Sequence, residues 1–141
     1  MSNKSIGTAF EKEFAQIFAD RGFWVHCLRD NANGQPFDLI AARNNTAYAF
    51  DCKECQGSAF RLSRVEENQD HAMALWAETG NQFSFFAIRF GDRIYLIPHR
   101  MLMILKGNGV KQLKETEAAK YGQELYRWLD RRSVLDGKDA K

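Results

Sequence analysis

The chain has little that would tie it to a membrane or to an oxidising compartment. No apolar run approaches the roughly 20 residues a membrane span needs, and the N-terminal MSNKSIGTAFEKEF lacks the apolar core of a signal peptide. A cytoplasmic protein with no membrane partner is expected. Cysteine is scarce: Cys27, Cys52 and Cys55 cannot all pair. Cys52-Lys53-Glu54-Cys55 has CxxC spacing but no second such pair, and residues three apart on a strand face opposite sides. Reduced thiols are expected, rather than a zinc or redox centre. There are only two prolines, Pro36 and Pro98, and no internal repeat or low-complexity stretch.

What is present suffices for one folded domain. The 141 residues are 45% apolar and 13% aromatic, enough to bury a core. The net charge of +2 hides an asymmetry: residues 1–98 hold 10 Lys+Arg against 12 Asp+Glu, residues 99–141 hold 10 against 6. The basic end is compatible with phosphate contacts, and equally with a solvated helix face.

Periodicity predicts a first helix over Ser5 to Arg21, with Ile6, Phe10, Phe14, Ile17 and Phe18 as its buried stripe and Gly22 as its stop. Thr8 and Glu11 have capping-box spacing; alternatively, Glu11 at the flank of the stripe reaches a site at the core's edge. Phe23 to Leu28 reads as a strand, and Arg29 to Pro36 as a polar loop with Gln35 extended before proline. Cys55 to Leu62 reads as a loop. Ser63-Arg64-Val65-Glu66 offers a capping box for a helix over Arg64 to Thr79, with Val65, Met73 and Trp76 inward, Leu62, Ala72 and Leu75 nearby, and the amide of Gln69 among them. Phe83 to Phe90 and Arg93 to Ile97 form a hairpin turned at Gly91-Asp92 and ended by Pro98. A short helix over His99 to Lys106, a Gly107-Asn108-Gly109 turn and a last helix over Glu115 to Arg132 follow, with Asp136 to Lys141 frayed. The order α-β-β-β-α-β-β-α predicts an α/β domain, a mixed central sheet flanked by helices.

The stretch Gly34 to Glu54, GQPFDLIAARNNTAYAFDCKE, stands apart. It reads as strands Phe37 to Ala42 and Ala47 to Glu54 around the turn Arg43-Asn44-Asn45-Thr46, whose asparagines tolerate positive φ. Side-chain alternation puts Asp51 and Lys53 on one face and Phe50 and Cys52 on the other. A short turn brings Asp38 near Asp51. Two carboxylates with an ammonium beside them suit Mg²⁺ or Mn²⁺ and chemistry on a phosphate. The plain alternative is an ion-pair network on an exposed sheet face.

Gly7-x-x-Phe10-Glu11, then Pro36-Phe37-Asp38, then Asp51-x-Lys53 and a helix carrying Gln69, resembles the PD-(D/E)xK nuclease superfamily. GTAFEKEFAQIFADRGFWV and PFDLIA are similar to the archaeal Holliday junction resolvases. AFDCKECQGSAFRLSRVEENQ and FFAIRFGDRIYLIP resemble the RecU-type resolvases of bacteria and their phages. The likeness spans roughly residues 5 to 105. Asp51 stands where glutamate is frequent, and the loop Arg29 to Pro36 is too short for the stalk of RecU proteins.

The resemblance implies a restriction-endonuclease-like fold and a Mg²⁺-dependent endonuclease (Mn²⁺ substituting) acting on four-way or other branched DNA, in a bacterial, archaeal or phage-infected cell. It implies Asp38, Asp51 and the main-chain carbonyl of Cys52 as metal ligands, with Glu11 at or beside the metal. Lys53 would handle the attacking water and the phosphate, Gln69 would orient Lys53 or that water, and the products would be a 5′-phosphate and a 3′-hydroxyl. Cutting two opposed strands suggests a homodimer. Arg29, Arg61, Arg64, Arg89, Arg93 and the Arg127/Arg131/Arg132 face are candidate DNA contacts. A repair or restriction-type nuclease on flaps or duplex, and a catalytically silent DNA-binding module, are the competing expectations.

Overall fold

The computed structural model describes residues 3–28 and 36–135. Arg29, the expected extended Gln35 and the expected frayed tail lie outside the described residues, as do the side chains of Ile6, Gly7 and Thr8. Helix α1 (Asn3–Asp20) begins ahead of the expected boundary, so position 8 lies inside it and not at its N-terminus. Phe10, Phe14 and Phe18 are fully buried along its inner face, and Gly22 (φ 84°) turns the chain away.

Strands β1 (Trp24–Cys27), β2 (Leu39–Arg43) and β3 (Thr46–Cys55) form an antiparallel meander. Asn44 (φ 51°) and Asn45 (φ 63°) make the left-handed turn between β2 and β3 as expected. The supposed loop that follows contains strand β4 (Ala59–Arg61) and a 3₁₀ turn (Leu62–Arg64). Helix α2 (Glu67–Glu78) therefore starts three residues later than the Ser63 capping box implied. Burying both Leu62 and Val65 decides the matter, because a tight turn followed by an extended Val65 puts both into the core. Leu75, expected near the core, is exposed.

Strand β5 (Phe83–Phe90) pairs parallel to β3, the crossover being supplied by the β4–α2 segment, and strand β6 (Arg93–Pro98) returns antiparallel through Gly91 (φ 61°). Helix α3 (His99–Gly107) and strand β7 (Gln112–Lys114) follow, β7 pairing with β4 in a separate two-stranded sheet. Three-residue strands leave no periodic trace, so neither was foreseen.

The single last helix expected over Glu115 to Arg132 is broken. It divides into helix α4 (Glu115–Tyr121), strand β8 (Gln123–Glu124) and helix α5 (Leu125–Leu135). At Gly122 the backbone passes so close to Leu96 that a Cβ would collide with its carbonyl, and Gln123 and Glu124 then pair with Leu96 and Tyr95. The Glu124 carboxylate accepts from the amides of Tyr126 (2.9 Å) and Arg127 (3.2 Å), restarting the helix.

The main sheet runs β1-β2-β3-β5-β6-β8. One face carries α1 and α5 over Phe50, Phe85 and Tyr48; the other carries α2, α3 and α4 over Phe86, Ile88 and Ile97. Both faces of β3 are thus covered, and the charges on it are buried rather than displayed. No described helix is long and apolar enough to cross a membrane.

Candidate active site

Leu39 pairs with Phe50, and the amide of Asp38 donates to the Phe50 carbonyl (3.0 Å), so the first residue before β2 lies opposite Asp51. The carboxylate of Asp38 turns back to accept from the Cys52 amide (2.6 Å). A strand residue's N–H and C=O point the same way, so the Cys52 carbonyl faces the same gap. Lys53 follows Asp51 on its face, with Nζ 3.2 Å from Asp51 Oδ2. Asp38, Asp51 and Gln69 are all buried, Asp51 with 1% of its surface exposed. An exposed-face ion-pair network is excluded by that burial.

Gln69 uses both ends of its amide. Its Oε1 accepts from the Glu66 amide (3.1 Å), capping α2, and its Nε2 donates to Asp51 Oδ1 (3.2 Å). It therefore touches Asp51, not Lys53. Asp51 Oδ2 is different: it is buried without a well-aligned donor, with the Lys53 ammonium 3.2 Å away and the Asp38 carboxyl beside it. As an anion such an oxygen is costly, and a proton or a cation offsets that cost.

The electrostatics carry the same message. Loss of solvent first, and the charge of Asp38 second, push Asp51 up to about 8, against the pull of Lys53. Asp38 is also raised, by burial, although the Cys52 amide, Lys53 and hydrogen bonding with Asp51 and Glu11 oppose the shift. A proton shared between the two carboxyl groups thus favours Asp51. Glu11 joins the group from α1 through its bond to Asp38, and its charge helps raise the Cys27 and Cys52 thiols, whose main cause is burial. Cys52 lies toward the α1 side and Cys55 in the opposite core, so the CxxC pair is split across the sheet.

Among the described residues no three His, Cys, Asp or Glu side chains close into a ready metal cage. The donor set nevertheless fits a hard cation: two carboxylates, a main-chain carbonyl and a nearby third carboxylate, all oxygen, with one oxygen unmatched. Mg²⁺ is commonly held by one or two carboxylates and completed by water and phosphate oxygens.

The candidate DNA-contact arginines do not converge on this site. Arg61 and Arg64 are exposed beside β4, Arg64 donating to the Glu54 carbonyl (2.6 Å). Arg93, Arg127 and Arg131 line a groove of about 490 Å³ at the far, β8 edge. Arg89 is held internally by Glu54 and Glu13 and lies over the Phe10 ring, so its guanidinium is already engaged, and Arg132 packs on Tyr48, Phe83 and Trp128. Sequence reasoning missed that clamp. It also missed Asp70, beside Gln69, whose carboxylate meets His99 Nε2 at 2.6 Å and ties α2 to the start of α3. Neither carries a local sequence signal, because each joins residues far apart in the chain.

A family model described as archaeal Holliday junction resolvase (Hjc) matches residues 2–132. No curated protein matches the chain. Among solved structures, Hjc of Archaeoglobus fulgidus, described as a Holliday junction resolvase from an archaeal hyperthermophile, superposes with a TM-score of 0.65 over 87% of this chain and 99% of that one, at 18% identity. Likeness at that identity speaks for the fold, a mixed sheet between helices. With the family model covering nearly all of the described residues, the chain belongs to the archaeal Holliday junction resolvase family, nucleases that hydrolyse DNA.

Proposed function

We propose that the chain cuts four-way DNA junctions by divalent-cation-dependent hydrolysis of phosphodiesters, with Asp38, Asp51 and Lys53 at the centre of the reaction. The observation that carries this reading is the burial of the Asp51 carboxylate together with Asp38 and the Lys53 ammonium, 3.2 Å from Asp51 Oδ2. Asp38, Asp51 and the Cys52 carbonyl would hold Mg²⁺, or Mn²⁺ in its place, with Glu11 at the margin. When bound, the ion supplies Lewis acidity, an activated water and a template for in-line attack.

The chain's own residues do the rest. Gln69 fixes Asp51 Oδ1, and Asp51 would hold the ion from a carboxylate so oriented. Lys53 holds the attacking water and offsets charge building on the phosphate, and the products are a 5′-phosphate and a 3′-hydroxyl. One chain supplies one such site, so paired cuts on opposed strands call for a C2 homodimer. The cytoplasm, where cellular DNA is reached, is the proposed compartment.

The test incubates the protein with labelled four-way junction, flap and linear duplex, with and without Mg²⁺, alongside a sedimentation measurement of its mass. Symmetric, Mg²⁺-dependent nicks confined to the junction and a dimeric mass are expected. Equal cutting of linear duplex would defeat the junction reading, and cutting in the presence of chelator would defeat the metal site.

A further inference from the structure

The sheet ends at β1, whose outer edge pairs with nothing among the described residues. On that edge Trp24 is 63% exposed, the most exposed of the large apolar residues described. It does not stand alone. Its ring lies nearly parallel to that of His26, 12° between planes and 6.0 Å between centroids, and His26 is exposed as well. A single surface tryptophan needs no explanation, but two flat rings held in a stack on a rigid strand form a platform.

The register says where the platform faces. Trp24 pairs with Ala42, His26 with Ile40, and the Leu28 amide donates to the Asp38 carbonyl (2.8 Å). Val25, between the two rings, packs toward α1, whereas Ile40, the partner of His26, packs toward α2. By alternation Trp24 and His26 therefore share the sheet face of Asp38, Asp51 and Lys53. His26 lies one pleat from the Asp38 row and Trp24 two, about 7 Å and about 14 Å along the strands. Ala42 and Ala47, beside Trp24, are small and half-buried, and the row between platform and site is His26, Ile40 and Ala49.

We infer that Trp24, backed by His26, is a base-stacking platform that receives the exposed face of a base pair at the branch point while the neighbouring phosphate sits at Asp38, Asp51 and Lys53. This rests on the junction reading above and adds the element that tells a branch from a continuous helix. A base pair at a branch lacks one of the stacking neighbours that duplex DNA provides, and an aromatic plane supplies it without regard to sequence. Intact duplex has no such open face and gains nothing from Trp24.

The experiment measures, in chelator, the affinity of full-length protein for a four-way junction and for a duplex closed at both ends by hairpins. Trp24→Ala should weaken junction binding about tenfold to hundredfold and change duplex binding less than about twofold, the range a lost stacking contact implies. Trp24→Phe should recover most of the loss, and His26→Ala should cost a few-fold. A fluorescent adenine analogue at the branch pair should respond to the wild-type protein and not to Trp24→Ala. Junction selectivity that survives Trp24→Ala overturns the platform alone. Equal binding of junction and duplex by wild type overturns it together with the junction reading. A halved mass for Trp24→Ala would assign the rings to a second copy of the chain and overturn it also.

Discussion

Lys53 and Glu54 are consecutive residues of β3, and each belongs to a charged cluster on a different face of the sheet. Beneath α1, one cation, Arg89, meets two carboxylates, bonding both oxygens of Glu54 and reaching Glu13. Facing α2, one cation, Lys53, again meets two carboxylates, Asp38 and Asp51. Each cluster has one cation, but the outlet for its surplus negative charge differs. The Glu13 side chain is 58% exposed and passes its surplus charge to water; Asp51 is shut in with 1% of its surface exposed and rises to about 8. A cluster that can relax into solvent is a clamp, and one that cannot is poised to take up a cation.

The sharpest way to break that contrast is to remove the unrelaxed charges. Lys53→Ala and Asp51→Asn should each lower junction cleavage at least about a thousandfold, since on the proposed reading Lys53 and a cation held by Asp51 would stabilise charge worth several kcal/mol in the transition state. DNA binding in gel shift should persist. Either purified variant cutting junctions at a near wild-type Mg²⁺-dependent rate would remove the site from the account.

A second difference should appear in stability against pH. With Asp51 raised above its usual value, the metal-free native state keeps a proton that the unfolded chain has released, so the contribution is complete below about pH 4 and is lost as pH climbs toward about 8. Urea unfolding of the metal-free protein should therefore show stability falling across that window, with a slope of at most about 1.4 kcal/mol per pH unit. Asp51→Asn should flatten the slope, and saturating Mg²⁺ should flatten it as well, because the cation displaces the proton. An identical slope in wild type and Asp51→Asn would mean that Asp51 is ionised throughout.

Gln69 tests the cluster's geometry without altering its charge. If Asp51 holds the cation as proposed, Gln69→Ala should reduce cleavage about tenfold to a hundredfold and raise the Mg²⁺ concentration needed for half-maximal rate. Gln69 also caps α2, so the variant's thermal midpoint must be read beside its rate. A loss of rate that vanishes once unfolded protein is subtracted would reduce Gln69 to a cap.

The hairpin and its charges were legible because their causes are local. Alternation aligned Asp51 with Lys53, and a two-asparagine turn fixed the register that brings Asp38 across. Gln69 was legible as an amide on an apolar stripe. What stayed hidden depends on contacts distant in sequence. Gly122 is an ordinary helix residue until Leu96 is placed against it; Arg89 is an ordinary surface cation until Glu13 and Glu54, 76 and 35 positions away, close around it. The start of α2 was misplaced for the same reason, a plausible Ser63 cap losing to burial of Leu62 and Val65. Local rules found the charges, and only packing sorted the poised cluster from the clamp.

The smallest expected effect lies in the clamp. Arg89→Met keeps the aliphatic body over Phe10 but deletes the bonds to Glu54 and Glu13; with the guanidinium mostly covered, about 1.5 kcal/mol of stability should go, read as a shift in urea midpoint. Glu13→Gln should cost under about 0.5 kcal/mol, because that partner is largely in water. Cleavage should fall only a few-fold in Arg89→Met, through Glu11: it follows Phe10 on α1, and its bond to Asp38 depends on where that helix rests. The mark of this indirect route is a rate that recovers at higher Mg²⁺ with no change in junction affinity. A large drop in junction affinity in Arg89→Met would instead return Arg89 to the DNA-contact surface and erase the distinction between the two faces of β3.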